Sequence, residues 1–118
     1  MKIGYLFPGQ GAQCVGMGKD LYEKYDLVKE TYKKVKEITG IDVAKISFEG
    51  NEEELGKTQN TQIAILTMSL SILKLLEKNE IKAEVASGLS LGEYTALINS
   101  SAISFEDGVK IVEKRGEY

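Results

Sequence analysis

The segment 61–78 constrains the fold more than any other part of the sequence. Apolar residues lie on nearly all sides of a helix drawn through it, at positions 63, 65, 66, 68, 70, 72, 73, 75 and 76. Such a helix has to be covered by other elements, because none of its faces suits water. Its uncharged apolar stretch, Ile63 to Ile72, is about ten residues long, whereas a membrane-spanning helix needs about twenty. The sequence therefore predicts a buried core helix and no membrane association.

Two short apolar runs lie on either side of this helix in the sequence. Residues 2–7 end at Pro8-Gly9, and residues 83–86 lead into Gly88. Short apolar runs that end at turn residues are typical of buried strands. If the helices between them form a crossover, the two strands are parallel. The pattern predicts an α/β fold with a parallel sheet.

The rest of the chain is predicted to be largely helical. Apolar residues recur at spacings of three and four from about residue 16 to residue 39, and Gly40 is a plausible cap for that helix. Residues 41–59 indicate short helical turns joined by polar loop. Ser104 begins a sequence that resembles a capping box and predicts a last helix. That helix is still running at Tyr118, which suggests a truncated chain.

Composition excludes several functions. The chain has 15 basic and 18 acidic residues, a net charge of −3, and no long basic stripe, so nucleic acid is not an expected partner. The N-terminus lacks the pattern of a signal peptide, which predicts a cytoplasmic protein. With no His and a single Cys14, the chain cannot assemble the usual zinc sites, and no metal site is expected. We expect Cys14 to be a small buried apolar group rather than a reactive thiol.

The motif Gly88-x-Ser90-x-Gly92 lies between the second predicted strand and a predicted helix over 91–99, which is the setting of a nucleophile elbow. Small residues on both sides of the serine let strand and helix pack closely. The N-terminus of the helix directs N–H groups at a developing oxyanion. A chance match in a chain with 12 Gly is the alternative. Because a serine nucleophile needs a base and the chain has no His, either the base lies elsewhere or the chemistry differs.

A glycine-rich loop, residues 7–13, follows the first predicted strand. It lacks the third glycine of a dinucleotide site and the Gly-Lys-Ser/Thr of a phosphate loop, so an ordinary turn is the simplest interpretation. Both loops follow parallel strands, however, and should meet at the edge of the sheet where α/β proteins bind ligands. A second oxyanion donor would have to come from such a neighbouring loop.

Four motifs follow one another along the chain: FPGQGAQ at 7–13, TQIAIL at 61–66, GLSLGEYTAL at 88–97 and VEKRGEY at 112–118. In these motifs and their order the chain resembles the malonyl-CoA:acyl carrier protein transacylase family. The resemblance spans essentially the whole chain but only the beginning of the family's usual length. It implies that residues 1–118 are the N-terminal part of an acyltransferase catalytic domain with an α/β-hydrolase-like core.

The resemblance also implies roles for individual residues. Ser90 would accept the malonyl group from malonyl-CoA and pass it to the phosphopantetheine thiol of acyl carrier protein, in fatty acid or polyketide biosynthesis. The backbone N–H groups of Gln10 and Leu91 would form the oxyanion hole. Arg115 would bind the malonyl carboxylate, and Gln62 would lie near the substrate. No metal or redox cofactor is implied. Taken without the resemblance, Arg115 is more simply a cation near a helix C-terminus.

The chain departs from the family at several points. Leu89 stands where the family often has His, and Ile63 where Pro is common. The family's C-terminal half, absent from this chain, supplies the catalytic His and a ferredoxin-like subdomain. The resemblance therefore implies that the chain by itself is inactive.

Two other functions remain open from the sequence. A serine hydrolase or thioesterase would use the same elbow and pass the acyl group to water. A non-catalytic remnant or interaction module would retain the fold without the chemistry.

Overall fold

The computed structural model describes residues 3–81, 85–88 and 91–117. Within these residues two strands and seven helices follow one another along the chain. They are β1 (Gly4–Phe7), α1 (Lys19–Lys24), α2 (Asp26–Thr39), α3 (Val43–Glu49), α4 (Glu52–Gly56), α5 (Thr58–Lys78), β2 (Val85–Gly88), α6 (Gly92–Asn99) and α7 (Phe105–Glu117). The fold is a mostly helical α/β arrangement with a small parallel sheet.

The two strands pair in parallel, as the sequence predicted. The register runs from Gly4 opposite Val85 to Phe7 opposite Gly88. Helices α1 to α5 lie between the strands in sequence and form the crossover that a parallel pair requires. Residues 83 and 84 of the predicted second strand, 83–86, lie outside the described part of the chain. The described strand continues two residues past the predicted end and includes Gly88, the first glycine of the Gly-x-Ser-x-Gly motif.

Helix α5 forms the centre of the molecule, which confirms the prediction from its apolar residues. It begins at Thr58, before the predicted start at 61, and Ile63, Leu66 and Leu70 on it are at most 1% exposed. Burial of each such side chain contributes about 1.5–3 kcal/mol to folding. Helices α2 and α7 both pack against α5. Among the described residues, no helix combines the length and apolar content needed to cross a membrane.

The single helix predicted over 16–39 is two helices, α1 and α2, separated at Tyr25. The backbone of Tyr25 is extended, with φ −121° and ψ 122°. Its N–H donates to the Leu21 carbonyl and so ends α1, while its carbonyl accepts from the Val28 N–H and so begins α2. The apolar spacing continues across this break, because the partly buried Leu21 and Tyr22 of α1 pack against the same core in which α2 buries its apolar residues. Periodicity alone therefore predicted an unbroken helix.

Local signals at other helix ends are confirmed. Gly40 ends α2 in the left-handed conformation, φ 78°, and its N–H donates to the Lys36 carbonyl at 2.7 Å. Ser104 Oγ accepts a hydrogen bond from the Asp107 N–H at 3.1 Å, and Ser104 thereby caps the start of α7. The helical turns predicted over 41–59 correspond to α3 and α4.

Candidate functional site

The two glycine-containing loops leave the sheet at the same edge. Phe7 and Gly88 are paired as the last residues of β1 and β2, so both strands end at one level. Leu89 and Ser90 lie outside the described residues. The residues that flank them are described, and their packing defines the surroundings of the turn.

The glycines of the motif are places where backbones approach each other closely. A Cβ atom added to Gly92 would lie 2.2 Å from the Phe7 carbonyl oxygen, and one added to Gly88 would lie 2.0 Å from the Gly92 carbonyl carbon. No side chain fits at either position without movement of the backbone. The start of α6 therefore rests directly on the end of β1, which is the close packing of strand and helix that a nucleophile elbow requires.

The loop after β1 is held by short-range hydrogen bonds. The Ala12 N–H donates to the Gly9 carbonyl at 3.3 Å, and the Gly11 N–H donates to Gln13 Oε1 at 2.8 Å. Gly11 has φ 112°, a conformation that glycine adopts far more readily than other residues. Gln10 lies within this turn with an exposed side chain. The loop thus presents Gln10 at the carboxyl edge of the sheet.

Three residues predicted as site residues are joined by hydrogen bonds through Gln62. Arg115 Nη1 donates to Gln62 Oε1 at 2.9 Å, and Gln62 Nε2 is 3.5 Å from Gln10 Oε1, at the limit of a hydrogen bond. Gln62 is only 5% exposed, and its amide therefore needs such partners. These residues come from the β1 loop, from α5 and from α7, which are far apart in the sequence. Leu91, fully buried, lies at the start of α6.

Two further residues near Arg115 were not singled out by sequence reasoning. A Cβ on Gly116 would lie 2.8 Å from the Gln59 Cα, so the absence of a side chain lets α7 approach the first turn of α5. The Tyr94 ring lies beside Arg115, with the guanidinium carbon 5.6 Å from the ring centroid. The available signals were the glycine next to Arg115 and the tyrosine in the first turn after the motif.

Cys14 is exposed, so the expectation that it is buried was wrong. It lies in the loop between β1 and α1, where its carbonyl accepts from the Met17 N–H in a turn. Within this turn Met17, not Cys14, packs into the core, with 8% of its surface exposed.

The family described as "Acyl transferase domain" matches residues 4–118, and the chain belongs to this family. Its predicted resemblance to malonyl-CoA:acyl carrier protein transacylases is confirmed by the relatives that follow.

A malonyl CoA-acyl carrier protein transacylase of Bacillus subtilis (strain 168) is 44% identical over 117 residues, which are 99% of this chain and 37% of the relative. The crystal structure of a malonyl CoA-acyl carrier protein transacylase from Clostridium perfringens superposes with a TM-score of 0.93 at 50% identity, over 99% of this chain and 37% of that one. A malonyl-transacylase in complex with a type II polyketide synthase acyl-carrier protein superposes with a TM-score of 0.94 at 35% identity, over 99% and 38% of the two chains. The chain therefore spans little more than a third of the length of these relatives.

Proposed function

We propose that this chain is the nucleophile-bearing part of an [acyl-carrier-protein] S-malonyltransferase, in which Ser90 carries the malonyl group. The observation that supports this most is the hydrogen-bonded set of Gln10, Gln62 and Arg115 beside the Gly88–Gly92 turn. One member lies in the loop proposed to bind an oxyanion, and another is the cation proposed to bind a carboxylate. A malonyl thioester presents both groups.

The proposed oxyanion hole consists of the backbone N–H groups of Gln10 and Leu91. Leu91 lies at the N-terminus of α6, where aligned peptide dipoles favour negative charge. Gln10 lies in the loop that follows the neighbouring strand. Two such donors would stabilise the tetrahedral intermediate, and loss of one donor of this kind costs about 10²–10³ in kcat in a well-studied enzyme.

Arg115 is proposed to bind the free carboxylate of the malonyl group. A guanidinium can bind a carboxylate through two parallel hydrogen bonds, which a neutral acyl chain cannot accept. The contact with Gln62 holds the side chain on the side of the molecule where Gln10 lies. The same arginine would therefore distinguish malonyl from acetyl thioesters.

The proposed reaction has two symmetrical halves. Ser90 Oγ attacks the thioester carbonyl of malonyl-CoA, its proton passes to a base, and the C–S bond breaks as CoA leaves with that proton. The phosphopantetheine thiol of acyl carrier protein then gives its own proton to the base and attacks the serine ester. The ester C–O bond breaks, and the base passes that second proton to Ser90 Oγ. Because the chain contains no His, the base is proposed to be a His from a C-terminal segment like that of the longer relatives. The same segment would carry a ferredoxin-like subdomain and complete the α/β-hydrolase-like core.

Acyl carrier protein is the proposed second substrate. One structurally similar malonyl-transacylase was solved in complex with an acyl-carrier protein of a type II polyketide synthase. We place the reaction in the cytoplasm, in the supply of malonyl groups for fatty acid biosynthesis.

The test uses a chimera in which residues 1–118 of this chain replace the matching N-terminal part of the Bacillus subtilis relative. The chimera is incubated with malonyl-CoA and its intact mass is measured, with cooperative thermal unfolding as the criterion that it is folded. We expect a malonyl adduct that is lost in Ser90→Ala and kept in the neighbouring control Ser87→Ala. The 118-residue chain alone should form no adduct, because it has no His.

Addition of holo acyl carrier protein should then move the malonyl group to the carrier. Release of the group as free malonate at the same rate without the carrier would instead establish a hydrolase. A folded chimera that forms no adduct would refute the assignment and favour a non-catalytic module.

A further inference from the structure

We infer that Tyr94 is a positioning residue that determines selectivity for carboxylate-bearing acyl groups by holding the Arg115 guanidinium. The inference rests on the proposed function, and it concerns a residue to which neither the sequence motifs nor the site predictions gave a role. The contact itself is on the described part of the chain, with the guanidinium carbon 5.6 Å from the ring centroid.

The need for such a contact follows from the chemistry of arginine. Its side chain has about 2 kcal/mol of rotamer entropy, and a bidentate grip on a carboxylate requires the planar group to lie in one orientation. Arg115 is on the last turn of α7 and is only partly buried, so the backbone by itself does not fix the end of the side chain. Selectivity based on this arginine therefore depends on what holds it.

Gln62 and Tyr94 hold the guanidinium in different ways. The Gln62 carbonyl oxygen accepts one N–H bond, at 2.9 Å, and so fixes one edge of the group. The Tyr94 ring attracts the cation through its π face, so this contact requires no hydrogen-bond acceptor on Tyr94. Together the hydrogen bond and the ring contact hold the guanidinium at two places.

The position of Tyr94 connects the arginine to the elbow. Tyr94 lies in the first turn of α6, and its N–H donates to the Leu91 carbonyl at 3.1 Å. At the other end of α6, the Ile98 side chain fills the space beside Gly108 in the first turns of α7, so contacts join the end of α6 to the start of α7 and the start of α6 to the end of α7. The end of α6 next to the Ser90 turn therefore meets the end of α7 that carries Arg115.

This arrangement gives one helix two functions. The start of α6 rests on the end of β1 through Gly92, and the same turn presents the ring of Tyr94 to Arg115. The position of the carboxylate-binding group is thereby set relative to Gly92 and the end of β1 by a helix rather than by a loop. A change at Tyr94 should affect recognition of the carboxylate and spare the attack on the carbonyl.

The experiment first shows that the chimera without substitutions is acylated at Ser90. It then measures kcat and KM of the chimera for malonyl-CoA and for acetyl-CoA. Tyr94→Leu keeps an apolar side chain but removes the ring, and should lower kcat/KM for malonyl-CoA about fivefold to tenfold, mainly through KM. The value for acetyl-CoA should change less than twofold. Tyr94→Phe keeps the ring and should restore at least half of the malonyl activity.

A matched control removes a similar contact far from the site. The Lys24 ammonium lies 5.5 Å from the ring centroid of Tyr25, between α1 and α2, and Tyr25→Leu should leave the malonyl-to-acetyl ratio unchanged. A double-mutant cycle provides the second control: in an Arg115→Ala background, Tyr94→Leu should have no further effect on the ratio.

Several results would overturn the inference. Equal losses for malonyl-CoA and acetyl-CoA in Tyr94→Leu would show a merely structural role, as would an undiminished effect in the Arg115→Ala background. No loss in Tyr94→Leu, or an equal loss in Tyr94→Phe, would exclude the ring contact as the cause. If the chimera without substitutions is not acylated at Ser90, that result refutes the proposed function, and it is obtained before any Tyr94 variant is measured.

Discussion

Substitution of Gly92 by alanine tests the close approach on which the candidate site depends. Helix propensity by itself favours the change, since alanine in a helix is more stable than glycine by up to about 1 kcal/mol. Packing opposes it, because the new Cβ would lie 2.2 Å from the Phe7 carbonyl oxygen and 3.1 Å from that of Pro8. Both neighbours are backbone atoms, which cannot rotate away as a side chain can.

The size of the effect follows from the overlap. Movement from 2.2 Å to the 3.4 Å of ordinary van der Waals contact requires a shift of about 1.2 Å between α6 and β1. Overpacking of this kind typically costs 1–3 kcal/mol, and a backbone overlap belongs at the upper end of that range. We expect the free energy of unfolding of the chimera to fall by about 3 kcal/mol, which corresponds to a decrease in its melting temperature of about 6–12 °C. A 1 Å displacement at a reactive centre can also cost about 10²-fold in rate.

Two other glycines serve as graded controls, because a new Cβ would overlap less at one of them and not at all at the other. At Gly116 the nearest atom to a new Cβ is the Gln59 Cα at 2.8 Å, an overlap about half as large, whereas at Gly56 nothing lies within 4 Å. The melting temperature of the chimera should therefore fall most for Gly92→Ala, less for Gly116→Ala and not at all for Gly56→Ala. Malonyl transfer should follow the same order. A Gly92→Ala variant as stable and active as the parent would refute the close packing of α6 on β1.

Two further predictions concern stability of the chimera. Ser47 is fully buried, and its hydroxyl has no hydrogen-bond partner among the described residues. Ser47→Ala should therefore raise the free energy of unfolding, measured by urea denaturation, by about 1 kcal/mol. A decrease of that size would contradict this reasoning. Burial, with a smaller contribution from Tyr22, raises the pKa of Tyr32 above its ordinary value of 10.0. The folded state then keeps a proton that the unfolded state loses, and the associated stability is present below about pH 10 and lost as the pH rises further. Between pH 9 and pH 11, the free energy of unfolding should fall by about 1.4 kcal/mol less in Tyr32→Phe than in the parent. Equal decreases in the two proteins would show that Tyr32 is not the cause.

Some features could be predicted from short stretches of sequence. The Gly40 and Ser104 caps are local devices, and each depends on the conformation of one turn. The glycines of the motif could be recognised from their spacing, although Gly92 makes its close contact with Phe7 on β1. Arg115 was different: from its neighbours alone it was a cation near a helix end, and only the family resemblance gave it a role.

The sequence by itself determined the core helix α5, the parallel pair of strands and the family to which the chain belongs. These depend on periodicity, turn residues and motif order, all of which can be seen without coordinates. The break at Tyr25, the exposure of Cys14 and the contacts of Arg115 with Gln62 and Tyr94 were decided only by the tertiary structure. Gln62 and Arg115 are 53 residues apart, and no local interaction brings them together. They meet because α5, α6 and α7 pack around one core, and that packing depends on the shapes of all three helices at once.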